Sequence, residues 1–391
     1  MVSSQSNLSF DNTEVAFKSK SNAALRKALW LFKSFDYPIT LSWGPTLAKI
    51  AVGLGLKFAI KSTIFEQFCG GETISKCNNT IQRLSDSGIG TILDYSVEGA
   101  EIESAFDGTT NEIIDTIKKA KGNAHIPFSV FKVTGIVESA LLEQKSAGAS
   151  LSQDENNRWL KGESRFNQIC QAAADCDVRL FIDAEESWLQ DAIDRLAEAA
   201  MLKFNQNKAI IFNTLQMYRH DRLAYLKNQI EKTHCFQGFK LVRGAYMEKE
   251  RKRATEKGYQ DPIQPNKEAS DKDYDEAVAV CLENIRSVSI CIGTHNELSS
   301  MKAVELMKAH GIQNNDERIF FSQLLGMSDH ISFNLSHHGY NVAKYVPYGP
   351  VSAVIPYLTR RAQENSGMAG QMGRELGLIT KELQRRKQSK S

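Results

Sequence analysis

The sequence lacks a charge of one sign. Its 48 Lys and Arg stand against 46 Asp and Glu, a formal net charge of +2 over 391 residues. That near balance excludes a chain-wide attraction to nucleic acid or acidic lipid, so any charge-based binding is local. The seven cysteines are scattered. They form no CxxC pair and no metal-ligand spacing, and no basic-then-apolar signal opens the chain, so reduced thiols in a cytoplasmic setting are expected. No apolar run approaches the roughly 18 to 20 residues of a spanning helix. The most apolar early stretch, Ile39 to Phe65, is broken by Lys49, Lys57 and Lys61 and reads as a helix packed on the body of the protein. No G-x-G-x-x-G follows the first strand, and Gly53 and Gly55 lack a third glycine, which argues against a Rossmann site. His330, His337 and His338 carry no zinc motif and read as parts of an exposed loop or helix, so no metal is expected.

What is present is a well-cored globular composition, 42% hydrophobic and 24% charged. Residues 1 to about 85 look helical and irregular. From Gly88 onward, short β-branched runs alternate with longer amphipathic stretches. Eight runs stand out: Gly90 to Tyr95, Pro127 to Val133, Val178 to Ala184, Ala209 to Thr214, Phe239 to Val242, Ser289 to Gly293, Ile319 to Leu324 and Val342 to Val346. Most are continuously apolar, as parallel strands buried on both faces must be. The pattern predicts an α/β fold of the (β/α)8 TIM-type barrel. Its expected divisions are an N-terminal helical arm (1–87), a catalytic barrel (88–372) and a C-terminal helical tail (373–391). The polar stretch Ser146 to Lys161 reads as an inserted surface loop with a short helix, and Gln384 to Lys387 as a frayed, solvated helix end.

In such a barrel the chemistry gathers at the C-terminal strand ends. There the sequence places Lys132 on the second strand and Asp183, followed by Glu185 and Glu186, on the third. Gln216 ends the fourth, and the fifth carries Lys240 and then Arg243-Gly244-Ala245-Tyr246. Thr294-His295-Asn296 ends the sixth, and Tyr345 lies on the eighth. In the following helix Tyr357, Arg360, Arg361 and Glu364 share one stripe at i, i+3, i+4, i+7. Two guanidiniums against one glutamate leave a net positive fork suited to a carboxylate, which Lys132 completes, while Asp183 suits an ammonium. The set fits a zwitterionic amino acid.

Five stretches in order carry a resemblance: Ile182 to Glu186, Leu241 to Tyr246, Thr294 to Asn296, Gln323 to Met327, and Tyr345 to Glu364. With them the chain resembles the proline dehydrogenase family. The resemblance implies FAD at the barrel mouth and hydride removal from C5 of L-proline, giving Δ1-pyrroline-5-carboxylate as the first step of proline catabolism. Lys132, Arg360 and Arg361 would hold the substrate carboxylate, Glu364 would orient the arginines, and Tyr357, Tyr345 and Leu325 would wall the ring. Asp183 would organise the charge network, with Tyr246 near the reacting centre. Lys240, Ala184, Gln216, Arg243, Gly244, Ala245, Thr294, His295 and Asn296 would contact the cofactor.

Lys240 departs from the family, many bacterial members placing arginine beside the flavin N5, and Met247 stands where some carry tryptophan. The resemblance further implies a membrane quinone as electron acceptor, a peripheral place at the inner face of the membrane, and product release to a separate pyrroline-5-carboxylate dehydrogenase. Rival readings are a hydroxyproline dehydrogenase, disfavoured in the family by a tyrosine at the Tyr345 position, a Schiff-base lyase using Lys132 or Lys240, and a non-catalytic amino-acid-binding barrel.

Overall fold

A computed structural model describes residues 8–35, 64–96, 102–232, 234–358 and 369–389. The Ile39 to Phe65 helix, save its last two residues, and Arg360, Arg361 and Glu364 therefore lie outside the described residues. All eight predicted strands form: β1 Ile89–Tyr95, β2 Phe128–Lys132, β3 Arg179–Asp183, β4 Ile211–Gln216, β5 Gln237–Val242, β6 Val288–Gly293, β7 Ile319–Leu324 and β8 Val342–Tyr348. They pair in parallel and close in chain order into a barrel of the (β/α)8 kind. The helices numbered here are α1 Thr13–Phe17, α2 Asn22–Phe35, α3 Asn78–Ser85, α4 Glu103–Ala120, α5 Ser139–Ser146, α6 Gln153–Cys176 and α7 Ser187–Phe204. They continue with α8 Arg222–Lys232, α9 Met247–Lys257, α10 Lys267–Glu283, α11 Glu297–Ala309, α12 Asp329–His337 and α13 Ala369–Gln388.

The chain falls into two compact units, one of residues 1–98 with 323–391 and one of 99–322. In the second, Phe128, Phe181, Phe212 and Phe320 stack within the strands. The Phe128 and Phe181 rings are 4.3 Å apart and nearly parallel, and Phe212 and Phe320 meet Phe128 edge-on. Such a dry aromatic cluster fills the space between strands and gives a firm base to the polar residues one or two positions further along each strand. In the first unit, β1 and β8 run in register from Ile89 against Val342 to Tyr95 against Tyr348. A separate apolar core joins the two termini, in which Phe17, Leu25, Ala28 and Phe32 pack with Met327, Tyr357, Leu378 and Ile379.

Three expectations need correction. The polar stretch Ser146 to Lys161 is only briefly a loop, because from Gln153 it is the opening of the 24-residue helix α6. Ser152 and Glu155 form a reciprocal capping box, the Ser152 hydroxyl accepting from the Glu155 N–H and the Glu155 carboxylate accepting from the Ser152 N–H. Such a cap stabilises a helix by about 1 kcal/mol, enough to make a polar segment helical once one face is buried. The basic C-terminal run is not frayed either. Arg386 donates to the carbonyls of Phe17 and Lys20 at 2.7 Å each and to the Asn22 amide oxygen at 3.0 Å, and its Nε meets the buried Glu382 at 2.6 Å. It thereby gives the Phe17 carbonyl at the end of α1 a second donor beside the Lys20 N–H. Finally, His330 is buried in α12 rather than exposed.

Candidate active site

The fold brings the second unit's predicted site residues to adjacent strand ends. Asp183 ends β3 in register with Lys132 at the end of β2, and Lys240 stands in β5 in register with Thr214 of β4. The Lys240 ammonium is buried, ion-paired with Asp183, and lies 5.2 Å from the centre of the Phe181 ring. An ammonium this deep persists only with an anionic partner, and the ring face adds a further attraction. The Thr214 hydroxyl is buried and makes no hydrogen bond.

At the end of β4, Gln216 ties three elements together. Its amide nitrogen donates to the Glu185 carbonyl at 2.7 Å and its oxygen accepts from the Ala245 N–H at 3.3 Å. Gly244 between Arg243 and Ala245 has φ +139°, and a Cβ there would meet the Tyr218 ring at 2.4 Å, so only glycine fits this turn. Arg243 spends its fork on Asp271 at 2.6 Å and on the Thr294 and Ser299 hydroxyls at 2.8 Å each, and so braces the β5 and β6 ends. Asn296 is the N-cap of α11, its side chain accepting from the N–H groups of Leu298 and Ser299. Tyr246 occupies the N-cap position of α9, Ala184 is buried just past β3, and His295 is half-buried beside Thr294.

Sequence reasoning passed over Glu185 as a neighbour of Asp183. It is buried, and both its oxygens accept from Thr134, one from the backbone N–H at 2.9 Å and one from the hydroxyl. Thr134 lies two residues beyond Lys132, so this clamp joins the β2 and β3 ends that carry Lys132 and Asp183. Burial pushes the Glu185 carboxyl up to about 7, against the opposing pull of Lys132 and of the Thr134 hydrogen bonds. No local pattern signals this, because it depends on how completely neighbouring elements exclude water.

The consequence for stability has a definite sign. Between the ordinary glutamate value and about 7 the folded chain holds a proton that the unfolded chain has lost, so this group's contribution falls as pH rises through that window. A Glu185→Gln variant keeps the acceptor for the Thr134 N–H and removes the titration. Its stability relative to the natural protein is expected to improve by roughly 2 to 3 kcal/mol between pH 4.5 and 7.5, read from denaturant unfolding at both pH values. A pH-independent difference would show that Glu185 does not titrate there.

In the first unit, Leu325, Tyr345 and Tyr357 are all buried. The Leu325 N–H donates to the Tyr345 carbonyl at 2.8 Å, so two of the expected ring-wall residues are tied through backbone. Tyr357 packs in the core that joins the termini.

Residues 77–374 match the family model described as proline dehydrogenase. The chain is 33% identical over 385 residues to "Proline dehydrogenase 1, mitochondrial" of Dictyostelium discoideum, with 86% of this chain and 67% of that protein covered. It is 30% identical over a 425-residue alignment to hydroxyproline dehydrogenase of Xenopus laevis, covering 98% of this chain and 91% of that one. Among solved structures, proline utilization A of Bdellovibrio bacteriovorus, inactivated by N-propargylglycine, matches with a TM-score of 0.70 at 18% identity. That match covers 93% of this chain and 40% of the larger protein, and at such identity it shows the fold alone.

Proposed function

From the premise that this chain belongs to the proline dehydrogenase family, we propose that it oxidises L-proline to Δ1-pyrroline-5-carboxylate with FAD as the immediate acceptor. The observation that carries the reading is the buried Lys240–Asp183 pair on the aromatic base, at the end of β3 and within β5. The residues there fit a flavin. A buried ammonium, an unpartnered Thr214 hydroxyl and a turn only glycine can make are what a planar, polar, hydrogen-bonding ring needs at close approach.

When bound, FAD supplies a two-electron hydride acceptor. Lys240, Gln216, Ala184, the Arg243-Gly244-Ala245 turn, Thr294, His295 and Asn296 would hold it. The protein's own part is to place substrate. Lys132, Arg360 and Arg361, oriented by Glu364, take the carboxylate, while Leu325, Tyr345 and Tyr357 wall the ring and exclude water, with Tyr246 near the reacting carbon. Holding the ring carbon about 3 to 3.5 Å from its acceptor converts a bimolecular encounter into an oriented one. The balance is one hydride from C5 to the cofactor and one proton from the substrate nitrogen to solvent or a neighbouring group.

On this reading the chain divides into an arm (1–87), a catalytic barrel (88–372) and a tail (373–391). Electrons would pass on to a membrane quinone, and the product to a separate pyrroline-5-carboxylate dehydrogenase. The Dictyostelium relative is named mitochondrial, which departs from the cytoplasmic placement read from the cysteines. We propose that the protein meets a membrane at its surface. Among the described residues no helix is long and apolar enough to cross a bilayer.

A second reading, hydroxyproline dehydrogenase, is favoured by the near full-length match to the Xenopus protein of that name. Anaerobic titration of the flavin-loaded protein with L-proline and, in parallel, 4-hydroxy-L-proline decides between them. Bleaching of the flavin bands by proline at the lower concentration supports the first reading, and the reverse order moves the assignment to the second. A flavin bleached by neither leaves a non-catalytic amino-acid-binding barrel.

A further inference from the structure

The turn that carries Leu325 is held against its own preferences. Gly326 has φ +77° and Ser328 φ +50°. A left-handed serine is a conformation that surrounding contacts must impose. A cavity of about 50 Å³ lies beside the turn, with Ser19, Lys20, Gln67, Leu325, Gly326 and Asp329 among its lining residues. A void of that size lets a neighbouring side chain recoil unless its backbone is clamped.

The clamps are visible. The Lys344 ammonium, fully buried on β8, donates to the carbonyls of Leu324, at 3.2 Å, and Met327. Its counter-ion is Asp329 at 2.9 Å, whose other oxygen is taken by Lys20 at 2.8 Å. Glu375 of α13 accepts from the Ser328 N–H at 3.3 Å. Gln67 donates to the Gly326 carbonyl at 2.9 Å, and a Cβ on Gly326 would come within 2.1 Å of the Gln67 carbonyl.

We propose that Lys20 and Gln67, both from the N-terminal segment, are positioning residues for substrate selection: they lock the Leu325–Ser328 turn from outside so that Leu325 presents a fixed wall to the substrate ring. The proposal rests on the reading above that Leu325 walls that ring. It assigns the N-terminal segment a part in specificity, since Lys20 completes an ion triad, Lys344–Asp329–Lys20, whose inner member fastens the turn.

Lys20→Met tests this while Asp329 keeps Lys344 as partner, and the Lys20 side chain is 20% exposed. Gln67→Ala tests the same turn without touching the triad. In flavin-loaded protein, backbone hydrogen exchange in peptides covering residues 323–333 is expected to speed up in both variants. KM for proline should rise about 10-fold with kcat within about two-fold, and preference for proline over 4-hydroxy-L-proline should narrow by a similar factor, the scale of a small change in an apolar pocket. Lys20→Arg, which keeps the charge, should restore all three. Unchanged exchange in both variants overturns the clamp. Faster exchange with unchanged KM and selectivity overturns its link to the substrate. If the natural protein oxidises neither amino acid, the functional reading fails and the link to substrate with it, while the exchange result still decides whether the clamp exists.

Discussion

Asp329→Asn is expected to cost about 3 to 5 kcal/mol of folding stability, the scale for removing one partner of a buried ion pair. Its carboxylate is the counter-ion of Lys344, which has no solvent exposure, and the carbonyls of Leu324 and Met327 cannot neutralise an ammonium. Burial alone would raise the Asp329 carboxyl, but the Lys20 and Lys344 ammoniums outweigh it and hold the group well below the usual carboxylate range. Its stabilisation is therefore full above the unfolded value, about 4, and is lost as pH falls through that value toward the folded one. The natural protein should lose this contribution on acidification, and the variant should not.

At the other end of the pH scale, burial depresses Lys344, and with the Asp329 charge gone and Glu375 left to oppose that effect, Lys344 releases its proton more readily still. The variant's deficit should then shrink as pH approaches about 10, where the unfolded lysine begins to lose its own proton. Replacing both partners, as Asp329→Leu with Lys344→Met, should recover most of the loss, since an apolar pair of similar volume needs no compensation. Denaturant unfolding of the three proteins at pH 3, 7 and 9.5 reads all of this. A single variant as stable as the natural protein at every pH would show that the triad carries no net stabilisation.

Lys240→Met is expected to slow flavin reduction by proline about 10²- to 10³-fold, the range for deleting one preorganised charge at a site where charge develops. Lys240 supplies a buried positive charge fixed by Asp183 and the Phe181 face, and the reduced cofactor is more electron-rich than the oxidised one. Lys240→Arg keeps the charge and brings a planar fork, so it should retain most of the rate. Anaerobic single-turnover mixing measures the step, and flavin content per chain separates loss of binding from loss of chemistry. A fully loaded Met variant reduced at the natural rate would remove Lys240 from the reaction.

The barrel was legible because strands buried on both faces advertise themselves as continuous apolar runs. Runs such as Ile319 to Leu324 coincide with the observed strand at both ends. The positions of Lys132, Asp183, Gln216 and Lys240 at or near strand ends follow from the same reading. The S-x-x-E at Ser152 to Glu155 was also there to be read, but its polar surroundings suggested a loop until a buried face on Trp159, Phe166 and Ile169 gave the helix a reason to form.

The sequence by itself determined what depends on near neighbours along the chain: strand periodicity, the identity of the strand-end polar groups, and the ordered motifs of the family. Only the tertiary structure decided which charges meet and how dry they are. Lys20 reaches Asp329, Arg386 ends α1, and Glu185 titrates near neutrality because water is excluded around it. Ion pairing and desolvation depend on distance and burial in space, and neither is encoded in any short window of residues.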